Sequence, residues 1–356
     1  MVEIQFDGAR YGYWQTVEIH ASVDDLCASI QLGISLPPGT DVLPLSKNSV
    51  VSVLVDGLLA ATMRVDDVRR RKSASSHNIS IEGRSLGREL IDCQYSAKLS
   101  NLKLAEIVKR LCDTFKVPLK VLVETVVVPD FAMQCESPSN ALINAARAAN
   151  LLLYPTADGG LVLTEPTSDA PVTSLVYGQH LLSYSVVDEY KLRFSEYVVK
   201  GFDHESSVST KGSAIDDEFT FFRPLHIVAD KYGQGVGGCD RRAELERNRR
   251  KARAHRLELE VQGWQSPAGL WAINSQVRVV IPDEQIDTVY LIGDRTFKLD
   301  AQGGSITLMQ VMHREAFIGE KVPKTKAPAK TAKGKAKKAA KKGRKKTPKT
   351  VINPGE

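Results

Sequence analysis

Residues 257–317 read LELEVQGWQSPAGLWAINSQVRVVIPDEQIDTVYLIGDRTFKLDAQGGSITLMQVMHREAF. Apolar and polar residues alternate over Leu257–Val261, Gln276–Ile281, Asp287–Asp294, Thr296–Leu299 and Ser305–Val311. A period of two puts one side of each run on a buried face, so each reads as a strand. Pro267–Gly269, Pro282–Asp283 and Gly303–Gly304 stand where the chain must turn. Short strands with tight turns predict an antiparallel meander rather than a βαβ unit.

Upstream, the β character returns. Trp14–His20, Val50–Val55 and Leu58–Val65 read as strands, the last two joined at Asp56-Gly57, a dipeptide that accepts the positive φ of a two-residue hairpin turn. Arg69–Lys72 and the following SASSHN predict a solvated loop, Asn78–Glu82 resumes a strand, and Gly83–Leu90 leaves the sheet. The period then changes. Leu104, Ile107, Val108, Leu111, Cys112 and Phe115 mark an amphipathic helix with Ser100 or Asn101 as its N-cap. A second helix starts near Ser137–Ser139, presents Ala141, Leu142, Ala145, Ala146 and Ala149, and stops at Asn150. Leu151–Tyr154 and Leu161–Thr164 close a hairpin across Asp158-Gly159-Gly160, so residues 93–165 form a small α/β domain. Leu181–Val187 and Glu196–Lys200 read as strands, residues 203–218 as an inserted loop, and Gly238–Arg256 as a charged helix. No repeat has a fixed period, although the two β-rich halves are weakly alike.

A chain of 356 residues is long enough for two or three packed units. Its net charge of +6 hides a division: residues 321–356 hold thirteen Lys, one Arg and one Glu, a net +13, which leaves −7 for residues 1–320. The Lys/Ala/Pro/Gly/Thr composition of that tail offers too little apolar area to offset backbone ordering, which predicts disorder. Cys27, Cys93, Cys112, Cys135 and Cys239 form no C-x-x-C pair and read as buried free thiols of a reducing compartment. The seven histidines supply no paired metal ligands, so no metal is expected. The amino terminus lacks the apolar core of a signal peptide, and no window reaches the length of a membrane span.

Four motifs invite a chemical reading. Gly233 to Gly238 fits G-x-G-x-x-G, but the helix after it is DRRAELERNRRKARAH, too charged for the buried crossover helix of a dinucleotide fold, so no cofactor is expected. The arginines of that helix crowd its end and the acids its start, which suits the helix dipole and predicts a solvated or subunit-facing surface. Trp264 and Trp271 bracket a Gly/Pro turn as core plugs or interface anchors, while Trp14, beside Tyr11 and Tyr13, reads as an exposed anchor. Asp24-Asp25 and Asp216-Asp217-Glu218 read as solvated or capping acids. G-x-S-x-G is absent, no nucleophile–base constellation emerges, and no enzyme is expected.

Gly263-Trp264 after a strand, Gly269-Leu270-Trp271, a β-rich run through Tyr290-Leu291-Ile292 and a last strand ending near Ala316-Phe317 resemble the closing domain of the baseplate hub proteins of Mu-like contractile-tailed phages. The Gly83-Arg84 exit and the Asn150-terminated helix with its apolar hairpin are similar to earlier parts of that family, so the resemblance spans residues 1–318. It implies an α+β, mainly β fold: a tube-like antiparallel β-barrel over residues 1–92, the α/β domain over 93–165, a second barrel with inserted loop and charged helix over 166–320, and the disordered basic tail over 321–356. It further implies a virion protein, assembled in the host cytoplasm. A homotrimer would cap the distal tail tube and adapt a sixfold tube to a threefold spike, with the genome passing through its channel during penetration. Its partners would be further copies of itself, the tail tube protein, the central spike, other baseplate proteins and the tape measure protein, with DNA sliding through unbound. Gly263, Trp264, Gly269, Leu270, Trp271 and Trp14 are then structural or interface residues. Outside the resemblance, Lys333, Lys335, Lys337, Lys338, Lys341, Lys342, Arg344, Lys345 and Lys346 form a polyanion-binding tail, and a cytosolic nucleic-acid-compacting protein acting through it is the alternative function.

Overall fold

The computed structural model describes residues 2–36, 48–74, 76–203, 208–229, 238–301 and 303–318. The tail and the glycine loop at 233–237 lie outside them. The first half holds β1 (Val2–Phe6), β2 (Ala9–Tyr11), β3 (Thr16–Ser22), β4 (Ser29–Leu36), β5 (Val50–Val55), β6 (Leu58–Lys72) and β7 (His77–Arg84). A middle module follows: α1 (Arg88–Asp92), β8 (Tyr95–Lys103), α2 (Leu104–Phe115), β9 (Leu119–Val121), β10 (Val127–Glu136), α3 (Pro138–Ala148), β11 (Leu152–Pro155) and β12 (Leu161–Thr164). The second half opens with β13 (Ser174–Val176) and β14 (Leu181–Asp188), then β15 (Glu196–Asp203), β16 (Val208–Ile215), β17 (Pro224–Val228) and α4 (Gly238–Ala254). It ends with β18 (His255–Gln262), β19 (Gln265–Ser266), β20 (Gly269–Leu270), β21 (Gln276–Ile281), β22 (Ile286–Asp300) and β23 (Gly304–Met312). The protein is α+β and mainly β.

The two halves share one strand order. In the first, the ladder runs β1-β5-β6-β7-β4-β3. In the second it runs β13-β21-β22-β23-β18-β14. Taken in chain order the two sets correspond strand for strand, with one departure: β13 lies parallel to β21, whereas β1 is antiparallel to β5. The middle strands β6 and β22 are both 15 residues long. Each is bulged at the same place in its ladder, between Val65 and Asp67 and between Ile292 and Asp294. The halves meet where Val17–Leu299 through Ser22–Asp294 pair β3 antiparallel to β22, which draws both into one 13-stranded sheet. A single apolar cluster lies behind that sheet, from Ile4, Ile19, Met63 and Ile81 to Leu257, Val277, Phe297 and Val311.

The middle module has its own core. Leu104, Ile107, Val108 and Leu111 of α2 pack with Leu142, Ala145 and Ala146 of α3 and with Leu161 and Leu163 of β12, at the helical spacing read from the sequence.

Several expectations are corrected. The closing strands are a meander only from β21 to β23: β18 lies beside β23 rather than β21, so the order β18-β23-β22-β21 is that of a Greek key. The runs 287–294 and 296–299 are one strand, because a bulge carries the chain past Gly293 without ending it. Arg69–Lys72 is not loop but the end of β6, paired with His77–Ser80 of β7. Much of the supposed inserted loop is β16, which forms a ladder with β15. Ser100 and Asn101 belong to β8, and the residue preceding α2 is Lys103. Cys27, Cys112 and Cys239 are buried free thiols, but Cys93 is half-buried and Cys135 exposed.

Candidate functional site

Two clusters and two sheet edges organise the molecule. The first cluster grows from the turn after β18. Gly263 has φ +75° and Gly269 φ +112°, conformations that a Cβ would strain. The turns fold Trp264 inward, where its indole N–H donates to the carbonyls of Ile306 at 2.8 Å and Lys298 at 3.1 Å. Its ring stacks on Phe297, centroids 5.3 Å apart. The amide of Trp271 donates to the Trp264 carbonyl at 3.1 Å, and Leu270 between them is half-buried. Arg295 lies over the Phe297 ring at 3.9 Å and donates through Nη1 to the Trp271 carbonyl at 2.9 Å. Burial pushes its guanidinium down to about 10. The structure thus brings Gly263, Trp264, Gly269, Leu270 and Trp271 together as a packed corner.

Trp14 does not join them. It is buried at 6 % exposure, with its indole donating to the Tyr11 carbonyl at 3.0 Å, so it is no exposed anchor. The exposed aromatic is Tyr13, at 87 % and φ +65°.

The second cluster is ionic. Asp24 lies in the connection between β3 and β4 and accepts bonds from Arg147 Nη2 of α3 at 3.0 Å and Arg253 Nη2 of α4 at 2.8 Å. Burial alone would raise its carboxyl, but Arg253, Arg147 and Arg249 overcome that and hold it below the usual carboxylate range. In the second half of the chain, Asp216 is 4 % exposed and receives Arg193 in a forked pair at 2.7–3.0 Å. Neither acid is simply solvated: Asp24 faces guanidinium groups from distant parts of the chain, and Asp216 faces that of Arg193 within the same insertion. The charged helix α4 is not simply solvated either, since it buries Cys239, Ala243, Leu245, Arg249 and Ala254.

The sheet edges are the third element. On its β5 side, the ladder of β6 ends at Arg64, and β6 continues to Lys72. The matching stretch of β22, Asp294–Leu299, is covered by β3. Its counterpart β14 lies along β18, and apart from a lone bridge between Leu181 and Tyr177 it has no second neighbour among the described residues.

Family models match in three places: the N-terminal domain of the Mu phage baseplate assembly protein GpP-like family over residues 1–85, the second domain of baseplate hub protein gp44-like proteins over 88–165, and the fourth domain of Mu phage baseplate assembly protein GpP over 238–320. The baseplate hub protein gp44 of Escherichia phage Mu is 31 % identical over 338 residues, covering 89 % of each chain. The chain belongs to the baseplate hub family of Mu-like phages. Two solved structures share this hub fold: a 43 kDa tail protein of prophage MuSo2 from Shewanella oneidensis, with TM-score 0.78 at 22 % identity, covering 90 % of this chain and 99 % of that one. The other is a tail protein from Neisseria meningitidis, with TM-score 0.79 at 21 % identity, covering 89 % of this chain and 97 % of that one.

In this hub protein the sequence conceals the ionic cluster more than the aromatic corner. Arg242, Glu246, Arg249, Arg250 and Arg253 do fall at helical spacing on one face of α4, a signal that the overall charge of the helix obscured.

Proposed function

We propose that this baseplate hub protein assembles as a homotrimer that closes the distal end of the tail tube and adapts the sixfold tube to a threefold spike. The observation that carries this reading is the repeated strand order together with the β3–β22 joint. Within one chain the joint covers an edge of the second half with an outer strand of the first. Among the described residues, the complementary pair, the far end of β6 and the second side of β14, is left over. Repeating the joint between chains would seat β14 of one copy on β6 of the next. A head-to-tail contact of this kind closes into a ring when the rotation allows, and three chains of two halves give six similar positions. Ring closure also covers edges that would otherwise invite open-ended pairing.

The strand equivalences fix a register. Asp67 corresponds to Asp294 at the two bulges, and if the joint repeats with the same ladder offsets, Val187 of β14 would lie opposite Arg69 of the next copy. Opposed residues of an antiparallel pair hold their Cβ atoms about 4.5–5.5 Å apart, within reach of a cross-link.

The role is structural rather than catalytic: a virion part in the tail baseplate, assembled in the host cytoplasm. Its neighbours are the tail tube protein, the central spike, other baseplate proteins and the tape measure protein. Trp264 and Trp271, with Gly263, Gly269 and Leu270, brace the closing strands that face such neighbours, and Trp14 braces the first half. The −7 charge of residues 1–320 favours an acidic channel wall, along which DNA slides without the phosphate contacts that a basic wall would make during host penetration.

The test is a double variant, Arg69→Cys with Val187→Cys, oxidised in solution after light scattering has fixed the mass of the uncross-linked particle. A trimer that becomes covalent only when both cysteines are present is expected. A monomer at micromolar concentration, or a trimer that the pair never cross-links, overturns respectively the ring or the joint.

A further inference from the structure

The helix α4, the end of α3 and Leu192 line a solvent-open cavity of about 300 Å³ that holds an excess of positive charge. Arg147 from α3 and Arg242, Arg249, Arg250 and Arg253 from α4 line it, with Glu246 as the acid among them. Most of these guanidinium groups are accounted for. Arg242 meets Glu246 at 2.9 Å and Arg250 meets the same carboxylate at 3.3 Å. Arg147 and Arg253 share Asp24. Arg249 is different: at 8 % exposure it has neither a hydrogen bond nor an ion pair among the described residues.

A largely buried guanidinium without an acceptor is costly in principle, and the nitrogens of Arg249, which are not among the fully enclosed groups, open onto the cavity it lines, where an acceptor can reach them. Here the cost is compounded by its neighbours. Burial, then Arg253 and Arg147, push Arg249 down to about 10, and the weaker pulls of Glu246 and Asp24 do not restore it. A solvated helix needs no arginine on its inward face, and an apolar residue there would pack without penalty. The arrangement makes physical sense once an anion sits in the cavity.

We propose that this cavity is a binding site for a single oxyanion, a carboxylate or phosphate group, held by a forked contact from Arg249 with Arg242 and Arg250 at its rim. The site is independent of the ring joint, which involves β6 and β14. Two sources share the chemistry: a free phosphate ion, or an acidic side chain of a neighbouring protein in the assembly. A guanidinium fork accepts both.

The experiment titrates the full-length chain with sodium phosphate, and separately with sodium glutarate, against sodium chloride at equal ionic strength, reading melting midpoint and heat of binding. Saturable binding is expected with at least one anion, weakened at least tenfold by Arg249→Met, while the Lys-rich tail stays intact in both proteins. Without added anion, Arg249→Met is expected to melt no lower than the parent, since it removes an unpaired buried charge. Preference for phosphate assigns the free ion, and preference for glutarate assigns an acidic side chain. Equal binding by parent and variant places the anion on the tail and overturns the site, as does the absence of saturable binding to either anion. If Arg249→Met does not fold, Arg242→Met at the rim gives the same reading through loss of affinity.

Discussion

The two halves of the sheet have the same six-strand order, yet they differ in how much chain they place between the second and third strands of the set. In the first half, residues 23–28 connect β3 to β4; in the second, residues 189–254 connect β14 to β18 and carry β15, β16, β17 and α4. The insertion has a small core of its own, in which Tyr197, Val199 and Ala214 pack on Cys239 and Ala243 of α4. The two equivalent connections meet, because Asp24 in the short one binds Arg253 at the end of the long one. The strand frame is therefore duplicated while the chemistry is not: apolar order is shared by both halves, and the buried arginines are concentrated around one connection.

The sharpest way to break this comparison is through the aromatic corner, which has no counterpart among the described residues of the first half. Trp264→Ala removes a buried ring, its stack on Phe297 and the donor to two carbonyls, and is expected to cost about 3–5 kcal/mol in a denaturant titration. A cost under about 1 kcal/mol would mean that the corner is not core, and that the aromatic side chains are held for a partner instead.

A smaller effect is expected where the insertion docks. A Cβ built on Gly212 of β16 would stand 2.1 Å from the Asp240 amide nitrogen and 2.2 Å from the Cys239 carbonyl carbon, so α4 crosses this strand only because no side chain is there. Gly212→Ala must push the helix away and is expected to cost about 1–3 kcal/mol. Amide exchange should speed up in α4 and β16 and stay unchanged in β4 and β7. Uniform acceleration would show that the insertion and the frame unfold as one unit.

Smaller again is the link between the two connections. Asp24→Asn is expected to cost about 1–2 kcal/mol at neutral pH, less than a fully buried pair, since about a third of each side chain remains exposed to solvent. The carboxyl is held below its ordinary value in the fold, so its contribution is complete above the unfolded value near about 4 and disappears as pH falls through the lower folded value. The gap between parent and variant should therefore close in acid. A gap that persists below pH ~2 would show that the loss arises from packing rather than charge.

What the sequence made legible follows the same division. Local periodicity places β18, β21, β23, α2 and α3 almost to the residue, because alternation and helical spacing are properties of neighbouring residues. Strand order was not legible: nothing in Leu257–Val261 announces that its neighbour is β23 rather than β21. The long strands β6 and β22 were cut short or split because Arg69–Lys72 is polar and because a bulge interrupts alternation at Gly293. In the site, the tryptophans and their turn glycines were visible as types, but the inward burial of Trp14 was not. Asp24, Arg147 and Arg253 are far apart in the chain, and charge alone does not say which acids are solvated.

The smallest effect on the fold, and the largest on salt response, is expected from the tail. Residues 321–356 carry net +13 with almost no aliphatic residue, so they have little to add to the apolar cluster of either half. Ending the chain after Glu320 should leave the melting midpoint essentially unchanged and the proposed trimer intact. Binding to an immobilised polyanion should be a different matter. Each neutralised anion releases condensed counterions, so retention of the full chain should fall steeply between two salt concentrations, whereas the shortened chain, at −7, should scarcely be retained at either. If shortening abolishes the trimer, the tail is part of the ring joint, and the pairing of β14 with β6 no longer accounts for closure alone. If retention survives the truncation, the polyanion is held by the body, where the arginines of α4 are the first place to look.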